Sequence, residues 1–582
     1  MSIKIAHIDQ IFPDGFRTGR HFYCGILIIF ASKVSEMIRC VRSVPHAGPG
    51  VLTQRFRIGR VPIVNVRTFV AFFSLSFAAS GLHPALGQST AAEWPTGSFN
   101  QQRDAWQRNE TKFTVDNVKN IRLLWKLKTD NKTMGMQSFR EPIIVAGVQT
   151  AGGVKTLAIL GGSSDDIYAV DAQAGSLVWQ KHLKWSSSTP QEPGEGAGFI
   201  CNNALTATPV VTPAGAAQRF VYALASDGYL HTLTLETGDE KDAPIQMIPA
   251  AYGKGNGLNL ANNVIYTATG QGCHGVLNEV YAVDLSNRKA FASFPGAGIF
   301  GTAGPAIGAD GTIYVETGDG VYNPSAAKLS TSFLAFTSSN DSLTLKDYYT
   351  PTNHAWLTKR DLDMNTTPVV FPYQGRDVLV GSGKEGRYFL VDSKSLGGAD
   401  HLTPLYRTPL VSNKNVNFQT EGTWGSFASW EDKDGTRWVL APIGGPAIVD
   451  FPISYGPTPN GGVIALKLTD TGGKMELAPA WLSRDMMSAE PPVVANGVVF
   501  VLAAGEFTAQ ANDVEGGLFS WQERVQRSIP AKLYALDAIT GKELYSSGDQ
   551  IRSFLHQAGV AVVDGRVIFG TFDGTIYCFG LE

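Results

Sequence analysis

Short runs of β-branched and aromatic residues, each broken by Gly, Asp or Asn, recur along this chain. They share one pattern. "DIYAVDAQAGSLVW" (166–179), "GYLHTLTLETGDE" (228–240) and "EVYAVDLSNRKAFASF" (279–294) each read as strand, Asp-centred turn, strand. "SFLAFTSSNDSLTLKDYY" (332–349), "RYFLVDSKSLGGADHLTPLY" (387–406), "GVIALKLTDTGGKMELAPAW" (462–481) and "KLYALDAITGKELY" (532–545) continue the series. A further strand stands before most of them, as in "KTLAILGGSSD", "NVIYTATGQG" and "GRVIFGTFDG". The "DG" and "EG" pairs supply the positive φ that tight hairpins need. Units at irregular spacings of roughly 50 to 75 residues predict propeller blades.

The last unit, "RVIFGTFDGTIYCFGLE" (566–582), has inner strands and no outer one. "TVDNVKNIRLLWKLKTD" (114–130) reads as an outer strand without inner partners. Joined, they complete one blade and remove the exposed sheet edges. Seven units and one shared unit predict an all-β fold: an eight-bladed β-propeller of four-stranded blades over 88–582. The stretches from Val411 to Gly461 and from Ala504 to Pro530 are expected as long loops over one face.

Charge changes the picture at the N-terminus. The chain of 582 residues has a net charge of −3, but residues 1–87 carry +7 and 88–582 carry −10. An acidic body excludes nucleic acid as a partner. "VRTFVAFFSLSFAASGLHPALGQS" from Val66 has a charged start, an apolar run and small residues at Ala85 and Gly87. That pattern predicts a signal peptide over 66–87, cleaved near Gly87, and a periplasmic or secreted product. A signal peptide starts a chain, so residues 1–65 are expected to be a misassigned-start extension, with translation beginning near Val66. N-terminal sequencing checks this. The alternative is a true extension with "FYCGILIIFA" (22–31) as an apolar patch too short to span a bilayer. No transmembrane helix is expected in the mature chain.

The repeat A-x-D-x-x-T-G-x-x-x-W resembles that of the pyrroloquinoline-quinone-binding, or quinoprotein, propellers, over about 94–582. Trp179 matches the family's docking Trp, while Tyr545, Phe294 and Tyr349 stand near that position elsewhere. The resemblance implies an alcohol-type dehydrogenase. Its cofactors are pyrroloquinoline quinone and a calcium or lanthanide ion, and an Asp is its base. Residue by residue, it implies Asp361 as the base, in "KRDLDMNTTPVVF". Asp319 in "ETGDG" falls at a metal position, and Asp361 is a metal ligand as well. Lys384 in "GSGKEG" implies contact with the quinone oxygens, and Cys201 in "GFICNNALTATP" lies where a cysteine sits beneath the cofactor. Trp424 in "EGTWGSFASW" is an aromatic available to the channel. The sequence departs from the family at three points. Asn202 follows Cys201 where a second cysteine is expected, Gly272 or Cys273 replaces the metal-binding Glu, and "GIFGTAGPAIG" lacks the stacking Trp.

Each of these residues has a plainer reading as well: Asp361 and Asp319 as turn residues, Lys384 as a hairpin lysine. Cys201 and Cys273 pair as a disulfide or remain two buried thiols, and Cys578 reads as core. No C-x-x-C-H occurs, so no haem c is expected, and a dehydrogenase here needs an external electron acceptor such as a cytochrome beside its small-molecule substrate. Two functions stay open, and with them enzyme status. One is an exported quinoprotein oxidoreductase acting on an alcohol or related hydroxyl compound. The other is a non-catalytic propeller with protein partners, of the envelope-assembly kind.

Overall fold

The computed structural model describes residues 92–183, 200–293, 296–512 and 517–582. The chain divides into Met1–His83 and Pro84–Glu582. The expected extension and signal peptide, with the Val66 start and the patch at 22–31, lie outside the described residues, as does Phe294.

Blade 1 sets the pattern. Ile143–Thr150, Gly153–Gly162, Asp166–Asp171 and Leu177–His182 pair antiparallel from the channel outward. Blades 2 to 7 repeat it over 210–246, 259–292, 306–349, 369–407, 428–482 and 493–546. Blade 8 takes three strands from 561–580, and its outer strand is Arg122–Lys128, which pairs antiparallel with Thr575–Gly580. Each innermost strand touches the next, and that of blade 8 touches that of blade 1. The ring is therefore an eight-bladed β-propeller closed by both ends of the chain, as the unpaired units at 114–130 and 566–582 imply. Apolar side chains on both faces of every blade form the core between neighbours.

The recurring Asp is a turn device. Asp171 accepts from the backbone N–H of Gln173 (2.9 Å) and Ala174 (3.2 Å), and Asp537 from Ile539 and Thr540. The Gly that closes this turn receives the Trp of the preceding blade. Trp179 donates its Nε1–H to Leu235 O of blade 2 (2.8 Å), and its ring fills the space where a Cβ on Gly238 would stand. Trp481 meets blade 7 in the same way, at Ala538 O and Gly541. Trp125 of the closing strand meets blade 1 at Ala172 O and Gly175. Trp and Gly thus form one device shared across a blade boundary.

Residues 94–107 plug one end of the channel. Their backbone and side chains bond in turn to the innermost strand of every blade. Examples are Trp94 to Ile144, Val211 to Pro95, Ile307 to Gln101, Val370 to Gln102, Ser429 to Asp104 and Val494 to Ala105. Gln107 reaches Val562 O in blade 8. Arg103, fully buried, donates to Thr96 Oγ1, Gly97 O, Leu258 O and Pro305 O. Burial pushes its guanidinium down to about 9, against the pull of Glu141.

Two expected loops carry structure. The 411–461 stretch contains Ala428–Glu431 and Arg437–Ile443, the two inner strands of blade 6, turned at "DKDG". Their near-continuous apolar character hides the alternation that marks half-exposed strands. The 504–530 stretch contains the helix Trp521–Arg527, started by a capping box in which Ser520 and Glu523 bond reciprocally. Parts of both stretches do reach the channel mouth: Gln419 to Gly425, Gly444, Gly445, and Glu506 to Gln510.

Candidate functional site

The channel opens opposite the plug into a cavity of about 510 Å³. Its wall comes from the residues just ahead of the innermost strands: Arg140, Thr206, Asn256, Thr302, Asn365, Trp424, Ala489 and Gln557. Asp319, Asp361, Asp363, Lys384 and Trp424 all line it.

Asp319, Asp361 and Asp363 each bring a carboxylate oxygen within 4.8 Å of the other two. Local structure explains how. The helix His354–Lys359 ends in a Schellman motif: Asp361 N–H bonds to Thr358 O, and Leu362 N–H to Leu357 O (3.0 Å). Leu357 and Leu362 are both buried, which anchors the stop. Asp361 takes the left-handed position (φ 55°), which short polar side chains tolerate. The turn-residue reading of Asp361 is therefore realised, and the same turn brings the residue to the cavity wall. Asp363 follows into the wall, where a Cβ on residue 318 would lie 2.4 Å from its Oδ1, so only Gly318 leaves it room.

Lys384 is buried and donates to Asp363 Oδ2 (2.6 Å) and Asp361 Oδ1 (3.0 Å). Burial alone would lower its pKa, but the two carboxylates outweigh that and raise it. Asp363 is pushed up to about 7, first by burial and then by Asp319 and Asp361, with Lys384 opposing. Asp319 is raised by burial and by Asp361. Three carboxyl groups beside one ammonium make an oxygen donor set of the kind that suits a hard cation. Asn365, two residues beyond Asp363, lines the same cavity with both amide atoms buried and unpartnered. The Trp424 ring stands 5.5 Å from Lys384 Nζ, with its Nε1–H on Glu421 O.

Cys201 and Cys273 form a disulfide. Ile200 lines the cavity, with the disulfide directly behind it, and Cys201 itself is not part of the wall. Cys578 is a buried thiol whose pKa burial pushes up to about 12, as a core residue.

Residues 104–292 match the PQQ-repeat family model described as "Outer membrane protein assembly factor BamB". The repeats, their docking Trp–Gly pairs and the closed eight-blade ring agree with it. Residues 104–292 carry PQQ-like repeats, and the fold is an eight-bladed β-propeller.

Solved relatives share this architecture. The quinohemoprotein alcohol dehydrogenase from Comamonas testosteroni is 15% identical with a TM-score of 0.55, covering 87% of this chain and 84% of that one. Quinohemoprotein alcohol dehydrogenase ADHIIG from Pseudomonas putida HK5 is 16% identical with a TM-score of 0.55, covering 85% and 81%. A europium-containing methanol dehydrogenase is 13% identical with a TM-score of 0.51, covering 84% and 98%. At such identities the likeness is one of fold. No curated protein matches the chain.

The propeller also lines its cavity with charged residues that sequence reading passed over: Arg140, Lys254, Glu490, Glu506, Arg524 and His556. Glu506 accepts from Arg524 (2.6 Å) and pairs with His556 Nδ1 (2.7 Å). Burial works against the Glu506 carboxylate, yet His556 and Arg524 hold it below its ordinary pKa. Burial, and then Glu506, push Glu490 up to about 7. A signal for two of these residues was present. "REPIIV", "TATPVV", "NTTPVV" and "AEPPVV" all open innermost strands, and Arg140 and Glu490 stand two residues before the strand's Pro.

Proposed function

We propose that this protein is an exported quinoprotein-type oxidoreductase that oxidises an alcohol or related hydroxyl compound. The observation that carries the reading is the convergence of Asp319, Asp361, Asp363 and Lys384 in one cavity. These residues come from the loops of blades 4 and 5, and Asp319, Asp361 and Lys384 stand at the positions that the family resemblance implies. The disulfide favours an oxidising compartment, periplasmic or extracellular. No helix among the described residues is long and apolar enough to cross a membrane.

The residues fit the cofactors. Asp319, Asp361 and Asp363 would hold a calcium or lanthanide ion, with the Asn365 amide as a further oxygen donor. Trp424 offers an aromatic face to a flat quinone, and Lys384 a donor to its oxygens. When bound, pyrroloquinoline quinone accepts two electrons from the substrate, and the cation polarises it as a Lewis acid. Asp361, less buried than Asp363, takes the hydroxyl proton. Lys384 donates to both Asp361 and Asp363 and so fixes them in place. The plug closes the far end of the channel, which limits water at the inner wall. The electrons then leave to an external acceptor, such as a cytochrome.

Titration of the purified protein with pyrroloquinoline quinone and calcium or lanthanum, read by Trp fluorescence and dye-linked alcohol oxidation, tests this. Saturable binding that Asp363→Asn weakens at least tenfold supports it. No binding at high quinone overturns it. That outcome turns attention to the second reading, a protein-binding scaffold, which the assembly-factor family model favours.

A further inference from the structure

The cavity has a second pole. In an eight-blade ring, blade 1 stands opposite blade 5. Arg140 leads into blade 1, and Asp361 and Asp363 lead into blade 5. Arg140 is 4% exposed and lines the cavity. Its Nη1 donates to Gln557 O (3.3 Å), but its Nε and Nη2 have no hydrogen-bond partner. Gln137 beside it is fully buried, also lines the cavity, and leaves both amide atoms unpartnered. Lys254 donates to Ile200 O (2.7 Å) and makes no ion pair among the described residues. Its ammonium is pushed down to about 8 by burial and by the charges of Arg140 and Arg524. Of the acids on this side, Glu506 is engaged by Arg524 and His556, and Glu490 accepts the N–H of Gln557 (3.0 Å) while its charge acts on Arg140 without a hydrogen bond to it.

Buried donors without acceptors cost free energy, and buried cations without counter-charge cost more. An anion delivered by a ligand offsets both. We infer that Arg140, Lys254 and Gln137 bind a carboxylate carried by the substrate, so the hydroxyl compound oxidised here is a hydroxy acid rather than a neutral alcohol. The substrate assignment rests on the proposed oxidoreductase function; the anion site does not. In that reaction the hydroxy acid becomes an oxo acid, and two electrons and two protons pass to the quinone. The substrate carboxylate, held at the blade-1 side, undergoes no change. A quinone carboxylate shares this chemistry, so the test separates the two sources.

Calorimetric titration of the purified protein compares gluconate with sorbitol, which have like chains and differ in the carboxylate. Gluconate is expected to bind at least tenfold tighter, both without quinone and with saturating pyrroloquinoline quinone and calcium. Arg140→Gln and Lys254→Met should each weaken gluconate at least tenfold and leave sorbitol unchanged. Thermal melting confirms that each variant is folded, and Lys254→Met, which removes an unpaired buried charge, should melt no lower than the native chain. Equal binding of gluconate and sorbitol overturns the inference. So does loss of gluconate binding once quinone is present, which assigns the pole to the cofactor. Gluconate binding in a protein that never binds quinone leaves the anion site standing and removes the oxidoreductase reading.

Discussion

Trp179 and Trp481 join neighbouring blades through a ring, a carbonyl and a glycine. Replacing either by Ala should cost about 3–5 kcal/mol, read by denaturant unfolding, because the cavity left has rigid backbone on its far side. Lys254 carries the opposite sign. Its pKa falls from the ordinary lysine value to about 8 in the folded chain, so the unfolded chain holds the extra proton above pH 8. Stability should therefore rise with pH through that window. Lys254→Met is expected to be more stable than the native chain at pH 7, an advantage that shrinks as pH rises from 8 towards 10.5, followed by melting temperature. At this scale the sequence was informative where a residue type allows few roles. Asp361, Asp319, Lys384 and Trp424 meet in one cavity, and Cys201 and Cys273 are bonded. Asp363 escaped because a second Asp two residues on looks like more of the same turn. Arg140 and Lys254 escaped because buried cations carry no local pattern. Their meaning lies in which blades face each other.

The stop of the helix His354–Lys359 is the element that aims Asp361. Asn keeps both the left-handed backbone and the size, so Asp361→Asn should hold stability within about 0.5 kcal/mol while losing cation binding. Asp361→Val should cost about 1–2 kcal/mol from backbone strain alone. Equal melting of both variants would remove the Schellman motif from the account. The disulfide links the lead-in of blade 2 to a loop of blade 3 across 72 residues. Reducing it should cost about 4 kcal/mol in the chain-entropy view, measured by unfolding with and without reductant. Elements were legible where exposure alternates along the strand and a Gly closes the hairpin. The inner strands of blade 6 are buried on both faces, so "SFASW" and "RWVLAPI" lack that alternation. The capping box at Ser520 and Glu523 was readable, but seven residues hold too few turns to show a helical period.

Repeat proteins often unfold unit by unit, because each repeat contacts only its neighbours. This ring has two features against that: strand exchange in blade 8 and a plug bonded to all eight blades. The blades should melt as one transition, with calorimetric and van't Hoff enthalpies equal. Arg103→Ala, which unties the hub of the plug, should broaden or split that transition. The blade count and the closure were visible in sequence because an unpaired strand at each end can be satisfied only by the other. The plug was not, since its residues bond through backbone and scattered side chains and so carry no repeat. Its depth is regular. In blades 2, 4, 5, 6, 7 and 8 the plug bonds five positions along the chain from a cavity-wall residue, as with Thr302 and Ile307 or Asn365 and Val370. A tunnel stoppered there has one doorway. Whatever settles deepest must arrive first and depart last, and every later visitor queues above it and blocks its exit. Traffic in this channel is last in, first out, through the end that the plug leaves open.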